Sequence, residues 1–261
     1  MQEQRIKEKI CEIGRRVWSR GYVAANDGNF SMRVNENRVI STPTQISKGF
    51  MNPSDMVVVD LEGNQLKGER KKTSEVLLHL TVYKHRPDVK AIVHAHPPHA
   101  TAFAIARRPL PRGLLPEVEY LLGEIPIAEY ATPSTGECSQ VILPLVEDYN
   151  AMLLANHGAV TFGSDLEEAY QRMEIIEQYC SVLLYLRQIG VWEPLGEERL
   201  SELLALKEKA GLTDRRNRDK QHRCPAPVDS PIPSFNLSDE KALKDLIKKA
   251  VREVLEEQKQ D

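Results

Sequence analysis

Apolar residues recur at helical spacing from the start of the chain. Ile6, Ile10, Ile13 and Val17 line one face of residues 2–20, with charged residues between them, which predicts an amphipathic helix. A Gly- and Asn-rich turn, NDGNFSMRV, then changes the rhythm: in FSMRV, RVIST and MVVVDLEGNQL apolar positions alternate or run together, predicting strands, the last of which turns at Glu-Gly-Asn. Helical spacing returns in TSEVLLHLTVYKHRP, where Val76, Leu80 and Tyr83 share a face and Pro87 ends the element. VKAIVHAH reads as a strand and HATAFAIARR as a helix. LPEVEYLLGEIPIAEY contains a short strand, residues 137–148 form a helix, and NAMLLANHGAVTFG is a strand pair or one bent strand. The long helix DLEEAYQRMEIIEQYCSVLLYLRQIG closes at Gly190, a residue type suited to the left-handed end of a helix.

Helices alternating with strands imply one sheet covered on both faces, and short links near Gly63 and Gly158 make part of it antiparallel. The expected fold class is therefore α/β: a three-layer α/β/α domain over residues 1–212 with a central, largely antiparallel or mixed sheet. Residues 213–238 form a Pro-rich linker in which apolar periodicity is almost lost. Residues 239–261 follow as an amphipathic helix, capped by Ser238, with Leu243, Leu246, Ile247, Val251, Val254 and Leu255 on one stripe.

Composition narrows the function classes. The 261 residues are 41% hydrophobic and 28% charged, as in an ordinary globular protein. A net charge of −3 gives no general attraction to nucleic acid or anionic membrane, so neither is expected as a partner. No run of apolar residues is long enough to span a bilayer, and MQEQRIKEKI lacks the apolar core of a signal peptide, so a cytoplasmic location is expected. Cys11, Cys138, Cys180 and Cys224 are scattered, with no Cys-x-x-Cys pair, and read as incidental thiols.

The candidate chemistry lies in AIVHAHPPHA. Along a strand, side chains alternate faces, so His94 and His96 point the same way and could share an ion. A catalytic zinc site takes three protein ligands and an open position. His157, in LLANHGAV, supplies a third neutral nitrogen where Gly158 is expected to permit a tight turn at the sheet edge. Each histidine alone is as readily structural; the set of three points to Zn2+. Glu75 begins a predicted helix, where a carboxylate favours the helix dipole, and near a metal it could act as general acid or base. Thr73 and Ser74 beside free helix N–H groups make an anion site. Asn29, Thr44 and Lys48, in the turns DGNFS and STPTQISKG, are candidate phosphate contacts or ordinary turn residues. His79, His85, His99 and His222 read as non-ligands, His99 being carried into the next helix by the Pro-Pro step.

The stretches DGNFS, STPTQISKGFMNPSDMVVVD, TSEVLLHLTVYKHRPDVKAIVHAHPPHATAFA, YATPSTGE and NHGAVTFG together resemble the class II aldolase/adducin family, over residues 2–190. That resemblance implies zinc on His94, His96 and His157, with Glu75 as the acid/base that also ligates the metal when substrate is absent. It places substrate phosphate on Asn29, Thr44, Thr73 and Ser74, and implies a homotetramer with sites at subunit interfaces. The activity it implies is cleavage of a ketose 1-phosphate, L-fuculose 1-phosphate or L-rhamnulose 1-phosphate, to dihydroxyacetone phosphate and lactaldehyde. Other members suggest an L-ribulose-5-phosphate 4-epimerase, a methylthioribulose-1-phosphate dehydratase or an adducin-like interaction domain; the adducin-like members lack the metal histidines that this chain has. Two positions depart from the pattern: Gln45 stands where the fuculose enzymes have Gly, and Tyr120 falls off register with their aldehyde-side tyrosine. The tail resembles encapsulation peptides of bacterial microcompartments, implying a shell-protein partner for residues 239–261, unless that helix packs on its own oligomer.

Overall fold

The computed structural model describes residues 2–212 and Asp214. Apart from Asp214, the linker at 213–238, the helix at 239–261, His222 and Cys224 lie outside the described residues. Eight strands form one sheet: β1 Asn29–Asn35, β2 Arg38–Ser41, β3 Val57–Val59, β4 Gln65–Lys67, β5 Ala91–Ala95, β6 Ile127–Ala128, β7 Ala151–Leu154 and β8 Gly158–Gly163. Their order is β4-β3-β2-β1-β5-β8-β7-β6. Every neighbouring pair is antiparallel except β6 with β7, so the sheet is mixed, as expected.

Among the described residues there are seven α-helices: α1 Gln2–Ser19, α2 Val76–His85, α3 Pro98–Ala106, α4 Pro116–Leu121, α5 Glu137–Val146, α6 Leu166–Ile189 and α7 Glu197–Lys209. The period of two in the strands sorts the core into two layers. Val93 and Phe30 join α1, α3 and α6 through Ile10, Ile13, Phe103 and Met173. Ile92 and Phe162 face α2 and α5 through Leu80, Tyr83 and Ile142. Since Ile92 faces α2, so does His94 two residues later, and the candidate chemistry falls on the α2 side of the sheet. Among the described residues no helix is long and apolar enough to cross a membrane.

Two helices were not anticipated from the sequence. α4 is only PEVEYL, with Val118 and Glu119 buried, too short to show a period. α7 has Leu200, Leu203 and Leu204 half-buried at helical spacing, on the same face as its buried residue, Lys207. Its anchor is polar: the Lys207 ammonium lies 2.9 Å from the Asp214 carboxylate and 3.1 Å from the Glu119 carbonyl oxygen, all in the interior.

Candidate metal centre

β5 and β8 pair with Ala95 opposite Ala159 and His94 opposite Val160, which lays the β7–β8 hairpin beside the end of β5. His157 sits in that hairpin, and its ring meets those of His94 and His96 with centroids 4.7 and 4.8 Å away; the His94 and His96 centroids are 5.0 Å apart. One ring nitrogen from each of the three lies within 4.8 Å of the others, and Nε2 of His96 is 3.2 Å from Nε2 of His94. His94 Nδ1 is 2.9 Å from the Ala159 carbonyl oxygen. A carbonyl can only accept, so Nδ1 carries the proton and the Nε2 lone pair is left facing the cluster. Burial holds the His94 imidazole well below its usual pKa and lowers that of His157. Both are neutral nitrogen donors at neutral pH.

The hairpin works differently from the expectation for Gly158. The left-handed residue is Asn156, with φ 57°, and Gly158 has no positive φ. Gly158 is needed for space: a Cβ there would lie 2.5 Å from the Ala95 carbonyl oxygen and 2.6 Å from Cδ2 of His96. Gly28, with φ 72°, does need its freedom, and a Cβ there would also press on the His94 carbonyl at 2.8 Å.

Glu75 is the N-cap residue of α2, and its carboxylate caps the cluster: Oε2 is 3.4 Å from His94 Nε2 and Oε1 is 3.4 Å from His157 Nε2. Asn29 Nδ2 donates to Oε2 at 2.7 Å. Glu75 Oε1 and Asn29 Oδ1 are buried without a hydrogen-bond partner. A buried carboxylate oxygen with no donor is costly, and a cation among the three imidazoles accounts for it. Three convergent imidazoles with an adjacent carboxylate fit a divalent metal of the zinc type. Asp27, which sequence reasoning passed over, lies 3.5 Å from His96 Nδ1 on the outer side of the cluster. Its presence in the DGNFS turn was the available signal.

The candidate phosphate contacts gather at the same rim. Thr73 Oγ1 accepts from the Glu75 backbone N–H at 3.4 Å at the start of α2, and Ser74 is exposed beside it. The Thr44 backbone N–H donates to the Lys71 carbonyl at 3.0 Å, tying its turn to the segment that leads into Thr73. Ser134, also missed in the sequence, reaches Ser74 at 2.7 Å from the TPST loop. Gln45 takes φ 58°, so the turn keeps the left-handed geometry that a glycine would adopt freely. The buried Lys48 ammonium donates to the carbonyls of Asn26 and Ile46, both at 2.8 Å, clamping the two turns together, and burial pushes its pKa down to about 8.

The other described histidines are engaged elsewhere. His99 Nδ1 is 2.7 Å from Glu177 Oε1, whose carboxylate also caps the first N–H groups of α3. His85 Nδ1 donates to Thr81 O on its own helix, and His79 is buried against Ser31. Tyr120 lies on α4, whose buried Val118 packs in the α1, α3 and α6 layer, on the far side of the sheet from the cluster.

The fold and the site together define a class. A family model described as the Class II Aldolase and Adducin N-terminal domain matches residues 8–184, and the chain belongs to that family. Relatives named for two different reactions are among its matches. It is 36% identical over 182 residues to an L-fuculose phosphate aldolase of Methanococcus maripaludis, covering 70% of this chain and 96% of that one. It is 34% identical over 185 residues to a 3-oxo-tetronate 4-phosphate decarboxylase of Haemophilus influenzae, covering 69% of this chain and 88% of the relative. The crystal structure of YgbL from Escherichia coli superposes with a TM-score of 0.73 at 30% identity, covering 78% of this chain and 99% of that one. Aldolases and decarboxylases are both lyases.

Proposed function

We propose that the chain is a zinc-dependent aldolase that cleaves L-fuculose 1-phosphate or L-rhamnulose 1-phosphate to dihydroxyacetone phosphate and lactaldehyde. The observation that carries this reading is the Glu75 carboxylate 3.4 Å from two imidazoles of a convergent triad, with one oxygen left without a donor. A metal on His94, His96 and His157 would supply a Lewis acid for the substrate's carbonyl and neighbouring hydroxyl oxygens. The chain's own residues do the rest. Thr73 and Ser74 offer hydroxyls at the start of α2, and Thr44 and Asn29 are placed to join them in holding the phosphate and fixing the sugar's register. As the C3–C4 bond breaks, the C4 hydroxyl gives up its proton and becomes the aldehyde, the electron pair stays on carbon 3, and Glu75, held by Asn29, delivers the balancing proton there.

A second reading rests on the decarboxylase relative. There the bond broken leads to carbon dioxide instead of an aldehyde, while phosphate binding and proton delivery by Glu75 are the same. Incubating the metal-loaded protein separately with the two ketose 1-phosphates and with a 3-oxo-tetronate 4-phosphate separates them. Release of dihydroxyacetone phosphate from either ketose 1-phosphate supports the aldolase; carbon dioxide from the oxo acid alone, whose decarboxylation leaves the same dihydroxyacetone phosphate, replaces it with the decarboxylase. Release of neither product refutes both readings.

For the tail, the apolar stripe in residues 239–261 and a reactive aldehyde product together support docking to a microcompartment shell protein. Unchanged loading of a chain lacking residues 214–261 would overturn that part. A homotetramer is expected and is read directly by light scattering.

A further inference from the structure

β1 and α2 meet along a seam that is polar, while the layer around it is apolar. Asn29, Ser31 and Arg33 alternate along β1 and share the face toward α2; Glu75, His79 and Tyr83 are spaced four apart and share one stripe of helix. They pair in order. Asn29 holds Glu75 at 2.7 Å, and Ser31 Oγ hydrogen-bonds both His79 Nδ1 at 2.6 Å and the Tyr83 hydroxyl at 2.8 Å. The Arg33 guanidinium lies over the Tyr83 ring, 5.0 Å from its centroid, and donates to the Tyr83 carbonyl. Ser31, His79 and Tyr83 are all within 1% of full burial.

Stability does not call for this arrangement. Apolar side chains of the same shape would seal the interface as well, and the row leaves His79 Nε2 and Arg33 Nε buried without partners. What hydrogen bonds add is register. If α2 slid or turned by a fraction of a residue, every pair would lose its partner at once, whereas the apolar contacts of Leu80 and Val82 could re-form. The strand side is equally fixed, because β1 pairs with β5 with Asn29 opposite His94 and Ser31 opposite Ile92. Glu75 sits at the end of the helix whose placement the seam sets, over the strand that carries His94.

We propose that Ser31 and His79 are positioning residues that hold the Glu75 carboxylate at its working distance from the His94–His96–His157 cluster. The proposal rests on reading that cluster as a metal centre and Glu75 as the proton carrier. The test uses the full chain loaded with Co2+ or Zn2+ and the variants Ser31→Ala, His79→Leu and His79→Asn. Asn keeps a polar atom where His79 has Nδ1; Leu does not. Ser31→Ala and His79→Leu are expected to lower kcat roughly 10- to 100-fold with KM for the sugar phosphate within about twofold of wild type, while His79→Asn recovers most of the loss. In the first two variants the visible band of bound Co2+ should move toward that of Glu75→Gln. Unchanged kcat and an unchanged cobalt band in Ser31→Ala and His79→Leu would overturn the proposal, as would a His79→Asn no better than His79→Leu. If wild type turns over no sugar phosphate, the functional reading fails, and the cobalt comparison alone decides the seam. If His79→Leu does not fold, Ser31→Ala, which removes one oxygen, decides.

Discussion

Replacing Gly158 by Ala adds one methyl group at the tightest point of the candidate centre. Its Cβ would lie 2.5 Å from the Ala95 carbonyl oxygen and 2.6 Å from His96 Cδ2. Neither atom belongs to a flexible side-chain end: Ala95 is in β5, paired with Ala159, and the His96 ring is packed against His94 and His157. To reach ordinary van der Waals contact the groups must part by roughly 1 Å. Opening β5 from β8 is overpacking at a cost of about 1–3 kcal/mol, which in a domain of this size lowers Tm by roughly 2–4 °C per kcal/mol. Swinging the His96 ring away removes one of three nitrogens from the cluster, and metal affinity should fall by about 10- to 100-fold, as for loss of a ligand-orienting group. The assay is Zn2+ competition against a chromophoric chelator, with thermal unfolding of the metal-free protein alongside. Gly196→Ala is the control, since its φ is −61° and a Cβ there meets nothing within 4 Å. Wild-type zinc affinity and Tm in Gly158→Ala would refute the steric argument.

Three further outcomes follow from the same geometry. Glu75→Gln keeps the shape and should leave the fold intact while lowering kcat by about 10²- to 10⁴-fold; a loss confined to KM would count against a proton-transfer role. Asp214→Ala removes the carboxylate 2.9 Å from the buried Lys207 ammonium and should cost about 3–5 kcal/mol in urea unfolding, whereas an unchanged midpoint would show that α7 is anchored otherwise. Burial lowers the His79 pKa from 6.5 to about 4, so between those values the unfolded chain binds a proton that the folded chain refuses. That contribution, about 3 kcal/mol, is full above pH 6.5 and lost as pH falls toward 4, and burial of His94 acts in the same direction. The urea midpoint of the metal-free protein should therefore drop across this window, and drop less in His79→Asn; a flat midpoint in wild type would contradict it.

What could be read in the chain was whatever repeats locally. Ile6, Ile10, Ile13 and Val17 are all buried on α1, and the period of two that put His94 and His96 on one face holds in the sheet. α4 was not legible because it is a turn and a half long, whereas α7 was passed over although Leu200, Leu203 and Leu204 repeat at helical spacing. At the site, residue types were visible but their partners were not. Asn29 reads as a turn residue until β1 brings it to Glu75, 46 positions away. Ser134 meets Ser74 across 60 positions, and Glu177 meets His99 across 78. Gly158 shows the limit most clearly: its type suggested a strained backbone, while the strain falls on Asn156 and the glycine makes room for a neighbouring strand. Spacing along one element survives in sequence; contacts between elements do not.

The most direct test of the central claim is the rate of dihydroxyacetone phosphate release from L-fuculose 1-phosphate and from L-rhamnulose 1-phosphate, measured as metal-free protein is titrated with Zn2+. The account predicts no release without metal, a rise that saturates at one zinc per chain, loss on chelation, and no rise in His94→Ala or His157→Ala. Full activity in the metal-free protein, or undiminished activity in those variants, would contradict it.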